Sequence, residues 1–128
     1  LMRTLGASIL DIAPGAVDIA LSPNPAISQQ HGFVHAGAVS SIADSAAGYA
    51  ALSLMPPGVG VLTTEFKINL VAPAAGERIV ARGRVIKSGR TLTLAQAEVF
   101  AEMQGKERLV ALLAATLMAI EGRDGVAD

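Results

Sequence analysis

The stretch that decides the fold of this 128-residue chain is AGAVSSIADSAAGYAALSLMPPG, residues 36–58. Almost every residue up to Leu54 favours a helix, and the proline-rich run at 55–58 stops it. After this stop the pattern changes to β-rich runs that are separated by short turns. We therefore predict one long helix followed by four long strands, at residues 59–71, 77–87, 91–103 and 108–120.

A short hairpin is predicted ahead of the helix. Residues 5–12 and 16–21 alternate weakly between apolar and polar on either side of Pro14-Gly15, a turn signal. A long loop, residues 22–37, then leads into the helix. Short links predict that the last four strands are antiparallel neighbours joined by hairpins. Residues 1–128 are thus expected to form one α+β domain, in which a curved antiparallel sheet wraps a long central helix.

The composition restricts the classes of function. Hydrophobic residues make up 52% of the chain and charged residues 16%, which is more apolar surface than one small domain can bury, so we expect a homo-oligomer. A net charge of −1 with one Tyr and three Phe argues against nucleic acid as a partner. The longest apolar run, residues 109–120, is about half a membrane span. Without cysteines or a convincing signal peptide, we expect a cytoplasmic protein with no membrane partner, frayed at residues 1–4 and 122–128.

Asp44 is the only Asp, Glu, Lys or Arg between Gly32 and Thr64, and it lies about two turns into the predicted helix. That position is too far from the helix start for a cap or for a favourable interaction with the helix dipole. Helix propensity also disfavours aspartate. A lone carboxylate in apolar surroundings is typical of a functional acid or base. A structural aspartate that accepts hydrogen bonds from serines or from a neighbouring subunit explains the position equally well.

The helix start is a second candidate site. The backbone N–H groups of Ala36 and Gly37 have no partner within the helix and could bind a carbonyl oxygen that gains negative charge. Asp44 lies eight residues beyond Ala36, roughly 12 Å along the axis, so one carbonyl cannot reach both groups on the same helix. Two antiparallel helices across a two-fold axis would solve this, which predicts a site shared between subunits. A stripe of small or polar residues, which we expect to face a partner subunit or a ligand and not the sheet, would permit their close approach: Gly37, Ser41, Asp44, Ser45 and Gly48.

The run His35-Ala36-Gly37, the aspartate nine residues after that histidine, and the β-rich half that follows resemble the PaaI-like group of hotdog-fold acyl-CoA thioesterases. The resemblance extends over about residues 10–120. It implies the hotdog fold, a helix wrapped by a curved sheet, and hydrolysis of an acyl-CoA with an aryl or medium-chain acyl group. It further implies a dimer with shared sites, within a tetramer, and no cofactor beyond the coenzyme A of the substrate.

The resemblance also implies roles for individual residues. Asp44 would be the general base or the nucleophile, and the amide of Ala36 would polarise the thioester carbonyl. Gln29 would position the carbonyl or the attacking water, and Thr63 would orient that water. Ala36 stands where the family pattern has Gly, and Gln29 where it has Asn, so the geometry or the substrate range can differ. The implied substrate and coenzyme A contacts are His35, Gly37, Lys87, Ser88, Gly89 and Arg90, the last four suited to phosphates through Lys and Arg.

Two other functions stay open at this point. A non-catalytic acyl-CoA-binding protein would keep the pocket without needing Asp44 or Gln29. A hotdog dehydratase or hydratase would use a catalytic histidine with a carboxylate, and no histidine falls on the predicted helix or strands. His31 and His35 are four residues apart but precede the helix, so we predict no metal site.

Overall fold

The structure, a computed structural model, describes residues 1–121. It confirms the predicted α+β architecture, a long helix with a curved antiparallel sheet. No helix in this part of the chain is long and apolar enough to cross a membrane. The elements are α1 (Met2–Leu5), β1 (Ser8–Ala13), β2 (Ala16–Leu21), a 3-10 turn (Pro25–Ile27), α2 (Ala36–Leu52), β3 (Gly60–Leu70), β4 (Arg78–Ser88), β5 (Leu92–Met103) and β6 (Lys106–Ile120).

The beginning of the chain differs from the frayed end that we predicted. Residues Met2–Leu5 form one helical turn, and the side chains of Met2 and Leu5 pack against the hydrophobic core. Partial burial of these two apolar side chains offsets some of the entropy of a free end. The predicted fraying of residues 122–128 lies outside the described residues.

The six strands form one sheet in the order β1-β2-β4-β5-β6-β3. β3 pairs with β6 and not with β4, so the hairpin predicted between β3 and β4 is wrong. The link over residues 71–77 crosses from the sheet edge to its middle, where β4 has β2 and β5 as neighbours. The amides of Val71 and Ala72 donate to the carbonyl of Val110, which holds the start of this link against β6. β3 therefore lies at an edge of the sheet.

α2 packs on one face of the sheet, directly over β4. A Cβ atom at Gly83 would clash with the carbonyl oxygen of Ala46, so only glycine lets the helix approach this closely. The stripe of small residues was expected to face away from the sheet, and this is wrong for Gly48. Gly48 is buried, and a Cβ there would lie 3.7 Å from Leu117 Cδ2. The interior side of α2 consists of small and branched side chains: Ala38, Val39, Ile42, Ala43, Ala46, Ala47, Ala50 and Ala51.

The opposite face of the sheet carries charged pairs. The Nε atom of Arg78 lies 2.6 Å from Glu102 Oε1, and this hydrogen bond lowers the pKa of the Glu102 carboxyl. The guanidinium of Arg82 pairs with Glu107 and lies 4.6 Å from the centre of the Phe100 ring. These side chains remain partly exposed, where an ion pair contributes little to stability. The face of the sheet that packs against α2 therefore contributes more to stability than the face with the ion pairs.

Candidate active site

His35 caps the start of α2. Its backbone is extended, and its Nδ1 accepts a hydrogen bond of 2.8 Å from the N–H of Gly37. In this contact Nδ1 is the ring nitrogen that serves as the acceptor, so the imidazole acts as the N-cap of α2. The prediction that the amides of both Ala36 and Gly37 are free is wrong for Gly37, because His35 already satisfies it. The Ala36 N–H has no acceptor within residues 1–121 and remains available to a ligand.

The hydrogen bond of the His35 cap is expected to contribute to the stability of the protein. We expect His35→Ala to lower the free energy of unfolding by about 1 kcal/mol, the usual loss when an N-cap acceptor is removed. His35→Asn keeps a side-chain acceptor at the cap and is expected to stay within a few tenths of a kcal/mol of the wild type. Urea unfolding of the two variants measures both values. An equal loss of unfolding free energy in the two variants would mean that the side-chain acceptor at the cap does not stabilise the protein.

Asp44 and Thr63 meet between α2 and β3. The hydroxyl of Thr63 donates a 2.7 Å hydrogen bond to Asp44 Oδ1. Asp44 is half-buried and Thr63 is exposed, so the pair lies at the surface of this single chain. The second carboxylate oxygen, Oδ2, has no hydrogen-bond partner in the described residues. The structure thus leaves one oxygen of the carboxylate free to accept a proton.

A cleft of about 640 Å³ opens beside the start of α2. Its polar corner consists of Gln29, His35 and Ala36. A volume of this size, apolar with a few polar groups, is typical of small-molecule sites. Its apolar wall brings together the loop before α2, α2 itself, the end of β3 with the following link, and β6: Phe33, Val34, Val39, Leu70, Val71, Ala72, Pro73, Ala74 and Val110.

Sequence reasoning missed this apolar wall. Its residues are up to 77 positions apart, from Phe33 to Val110, and only the pairing of β3 with β6 brings them together. The unbroken apolar run over residues 70–74 was a usable signal, since it continues beyond the end of a strand. Four of these side chains form a buried floor: Val34, Val39, Ala74 and Val110.

Gln29 presents an amide group to the cleft. Its backbone N–H donates to the carbonyl of Phe33, and its Oε1 accepts from the backbone N–H of His31. With Oε1 held by the loop, the side-chain NH₂ has no acceptor within the described residues. Gln29 and Ala36 both line this cleft, and each has an N–H group without an acceptor within residues 1–121.

The two halves of the predicted site are separate on one chain. Ala36 and Gln29 line the cleft, whereas Asp44 and Thr63 do not. The separation agrees with the offset of eight residues along α2, roughly 12 Å at 1.5 Å per residue. A single chain thus places its carbonyl-binding donors and its carboxylate at different places on the surface.

Lys87, Ser88, Gly89 and Arg90 lie at the exposed turn between β4 and β5. The register aligns Ser88 with Thr93, Leu117 and Thr63 across four strands, so the turn lies about 14 Å from Thr63. The turn therefore lies at the same level of the sheet as the carboxylate half of the site and outside the cleft. Neither cationic side chain of this turn forms an ion pair within residues 1–121.

No group of three or more metal-ligating side chains comes together in the described residues. His31 is exposed, and the Nδ1 atom of His35 is occupied by its cap.

The comparisons with known proteins agree with this fold. Residues 31–107, more than half of the chain, match the family model of the thioesterase superfamily. A thioesterase family protein from Silicibacter pomeroyi is 52% identical, with a TM-score of 0.92 over 94% of this chain and 89% of that chain. No curated protein sequence matches the chain.

Two PaaI proteins are also similar in structure. PaaI from the phenylacetic acid degradation operon of E. coli is 23% identical, with a TM-score of 0.84 over 94% of this chain and 84% of its own. A mutant of the phenylacetic acid degradation protein PaaI from Thermus thermophilus is 27% identical, with a TM-score of 0.78 over 91% and 96%. Fold and site together define a hotdog-fold thioester hydrolase. The chain belongs to the thioesterase superfamily.

Proposed function

We propose that the protein hydrolyses acyl-CoA thioesters with an aryl or medium-chain acyl group, as a homodimer with two shared sites that associates further into a tetramer. The observation that carries this proposal is the separation of the two half-sites. Each chain has two N–H donors in an apolar cleft and, outside that cleft, a carboxylate with a free oxygen. A second chain, related by a two-fold axis, would bring the missing half to each cleft.

The edge of the sheet supports dimer formation. β3 is eleven residues long and lies at the edge of the sheet, with β6 as its one neighbouring strand among residues 1–121. An edge of this length is a template for pairing with another strand. Leu62, Phe66 and Leu70 on this strand are all exposed, at 48%, 44% and 52%. Pairing of two β3 strands would cover this apolar surface and place the two α2 helices side by side.

The proposed reaction begins with the thioester carbonyl oxygen on the Ala36 N–H and the Gln29 NH₂ of one subunit. A water molecule donates one hydrogen bond to Asp44 Oδ2 of the other subunit. It donates a second hydrogen bond to the hydroxyl oxygen of Thr63 in that same subunit. Thr63 can accept it because its own proton is already donated to Asp44 Oδ1. The water oxygen attacks the carbonyl carbon, and Asp44 takes the proton. The tetrahedral intermediate then collapses, the C–S bond breaks, and coenzyme A leaves as the thiolate. In an alternative course, Asp44 attacks the carbonyl carbon directly, the C–S bond breaks and coenzyme A leaves as the thiolate. Water then hydrolyses the resulting anhydride to the free acid and Asp44.

The apolar wall of the cleft would hold the acyl group. No charged side chain lines it, and its buried floor consists of Val34, Val39, Ala74 and Val110. Transfer of an alkyl or aryl group from water to such a surface is favourable, at about 25 cal/mol per Å² of apolar area. The exposed turn with Lys87 and Arg90 would meet the phosphates of coenzyme A, as in the resemblance.

Mixing two inactive variants tests the shared site. Asp44→Asn removes the base, and Ala36→Pro removes the N–H donor, so each homodimer has two broken sites. In an equal mixture after subunit exchange, half of the dimers are heterodimers, and each contains one intact site and one doubly broken site. We expect about a quarter of the wild-type rate of thiol release from acyl-CoA. A mixture that remains as inactive as the two separate variants would contradict a site built from two subunits.

A further inference from the structure

β3 changes the direction of its side chains at Thr64. Thr63 lies opposite Leu117 on β6 and Glu65 lies opposite Thr116, so Thr64 is an extra residue without a partner, a β-bulge. Directly opposed residues on adjacent strands point to the same face of a sheet. Thr63 therefore points to the side of the fully buried Leu117, towards α2, and Glu65 points to the opposite face.

The bulge has a consequence for the rest of the strand. Beyond Thr64 the residues on the α2 side are Phe66, Ile68 and Leu70, opposite Ala115, Leu113 and Ala111. Without the extra residue, the side chains of β3 would alternate between the two faces of the sheet along the whole strand. Either Thr63 would point away from Asp44, or the polar set Glu65, Lys67 and Asn69 would point to the α2 side. On that side Ile68 packs against the hydrophobic core, a place that is unfavourable for a charged group.

A second strand holds this bulge in place through one residue, Thr116. The hydroxyl of Thr64 donates to the backbone carbonyl of Thr116 at 3.1 Å. The hydroxyl of Thr116 donates to Glu65 Oε1 at 2.5 Å. Both residues after Thr63 are thus tied to the same position of β6. Beyond the bulge, the ladder to β6 continues in regular register to Leu70.

We propose that Thr64 and Thr116 form a clamp that positions Thr63 on Asp44. The clamp sets the direction of the Thr63 hydroxyl, and thereby the orientation of the carboxylate and of the attacking water. Neither Thr64 nor Thr116 lines the cleft, so we assign both as positioning residues. The kinetic part of this inference rests on the proposed function, but the geometric part concerns only the contact between Thr63 and Asp44.

The kinetic test compares Thr64→Val, Thr64→Ser and, as a matched control, Thr4→Val in the exposed first turn of the chain. Valine keeps the shape and loses the hydroxyl, whereas serine restores it. We expect Thr64→Val to lower kcat for thiol release about fivefold to tenfold with KM unchanged within about twofold, as for the loss of one hydrogen bond. Thr64→Ser and Thr4→Val are expected to keep the wild-type kcat. A wild-type kcat in Thr64→Val would overturn the proposal.

A double-variant cycle separates positioning from a loss of stability. If Thr64 acts through Thr63, then Thr64→Val has no further effect on kcat once Thr63→Val is present. Independent effects that multiply in the double variant would overturn the clamp. Thr116→Val, which keeps the backbone carbonyl, is expected to give a smaller loss of kcat than Thr64→Val. An equal or larger loss would contradict the place given to the hydroxyl of Thr64.

A structure of Thr64→Val keeps the two proposals distinguishable. If the wild type hydrolyses no thioester, the proposed function fails, and the clamp is then decided by geometry alone. We expect the Thr63–Asp44 hydrogen bond to be broken or disordered in a crystal structure of the variant. A hydrogen bond that persists at 2.7 Å, as in the wild type, would show that Thr64 does not position Thr63.

Discussion

Asp44→Asn is expected to lower kcat for thioester hydrolysis by about a hundredfold or more, the size of effect for the loss of general acid–base catalysis. Asparagine has nearly the same shape, and its Oδ1 can still accept the hydrogen bond from Thr63. The amide cannot take a proton from water, and it cannot act as a nucleophile. The loss should therefore fall on kcat, with KM much less affected.

The measurement is thiol release from a panel of aryl and aliphatic acyl-CoAs, with wild type and variant side by side. Asp11→Asn is a matched control, because Asp11 is an exposed carboxylate on β1 whose Oδ1 accepts only the N–H of Ile12. If the wild type is active and Asp44→Asn is equally active, the carboxylate is structural. If neither protein hydrolyses any member of the panel while both bind acyl-CoA, the protein is an acyl-CoA-binding protein.

Ala36→Pro is expected to lower kcat by about a hundredfold to a thousandfold, as for the loss of one oxyanion donor. Ala36 is the first residue of α2, the helix position that best tolerates proline. The residue before it, His35, has φ −60° and ψ 140°, which is compatible with a following proline. The substitution therefore removes one N–H group without breaking the helix.

Ala36→Gly is the matched control for this experiment, because it keeps the N–H and removes only the methyl group. We expect it to be as active as the wild type. Circular dichroism should show unchanged helix content in both variants. Full activity in Ala36→Pro would mean that the carbonyl oxygen binds elsewhere, and the side-chain amide of Gln29 would then be the remaining donor in the cleft.

Much of the site could be predicted from the chain alone because its signals are local. Asp44 is conspicuous as the only charged residue in a long apolar stretch, and the start of α2 follows from the change in pattern at Ala36. The resemblance implied that Thr63 orients the attacking water, and the structure places the Thr63 hydroxyl 2.7 Å from Asp44 Oδ1. The bulge at Thr64 has no such local signal, because the apolar residues Leu62, Phe66, Ile68 and Leu70 all occupy even positions.

Other features could not be predicted because they depend on contacts between distant segments. The occupation of the Gly37 amide depends on the rotamer of His35, which composition and spacing do not specify. The hairpin between β3 and β4 was wrong because a link of seven residues permits either a turn or a crossing. The choice depends on which strand forms backbone hydrogen bonds with β6, on the side of β6 that does not pair with β5.

The amino-acid pattern thus determined the long helix, the bounds of the strands and the position of the carboxylate, since each depends on residues close together in the chain. The tertiary structure decided that β3 lies at a sheet edge beside β6, and this pairing brings Leu70 to Val110 in the cleft. It also decided that Ala36 and Asp44 form two separate half-sites. Local periodicity records which face of an element is apolar, whereas strand order depends on how all the apolar faces are buried together.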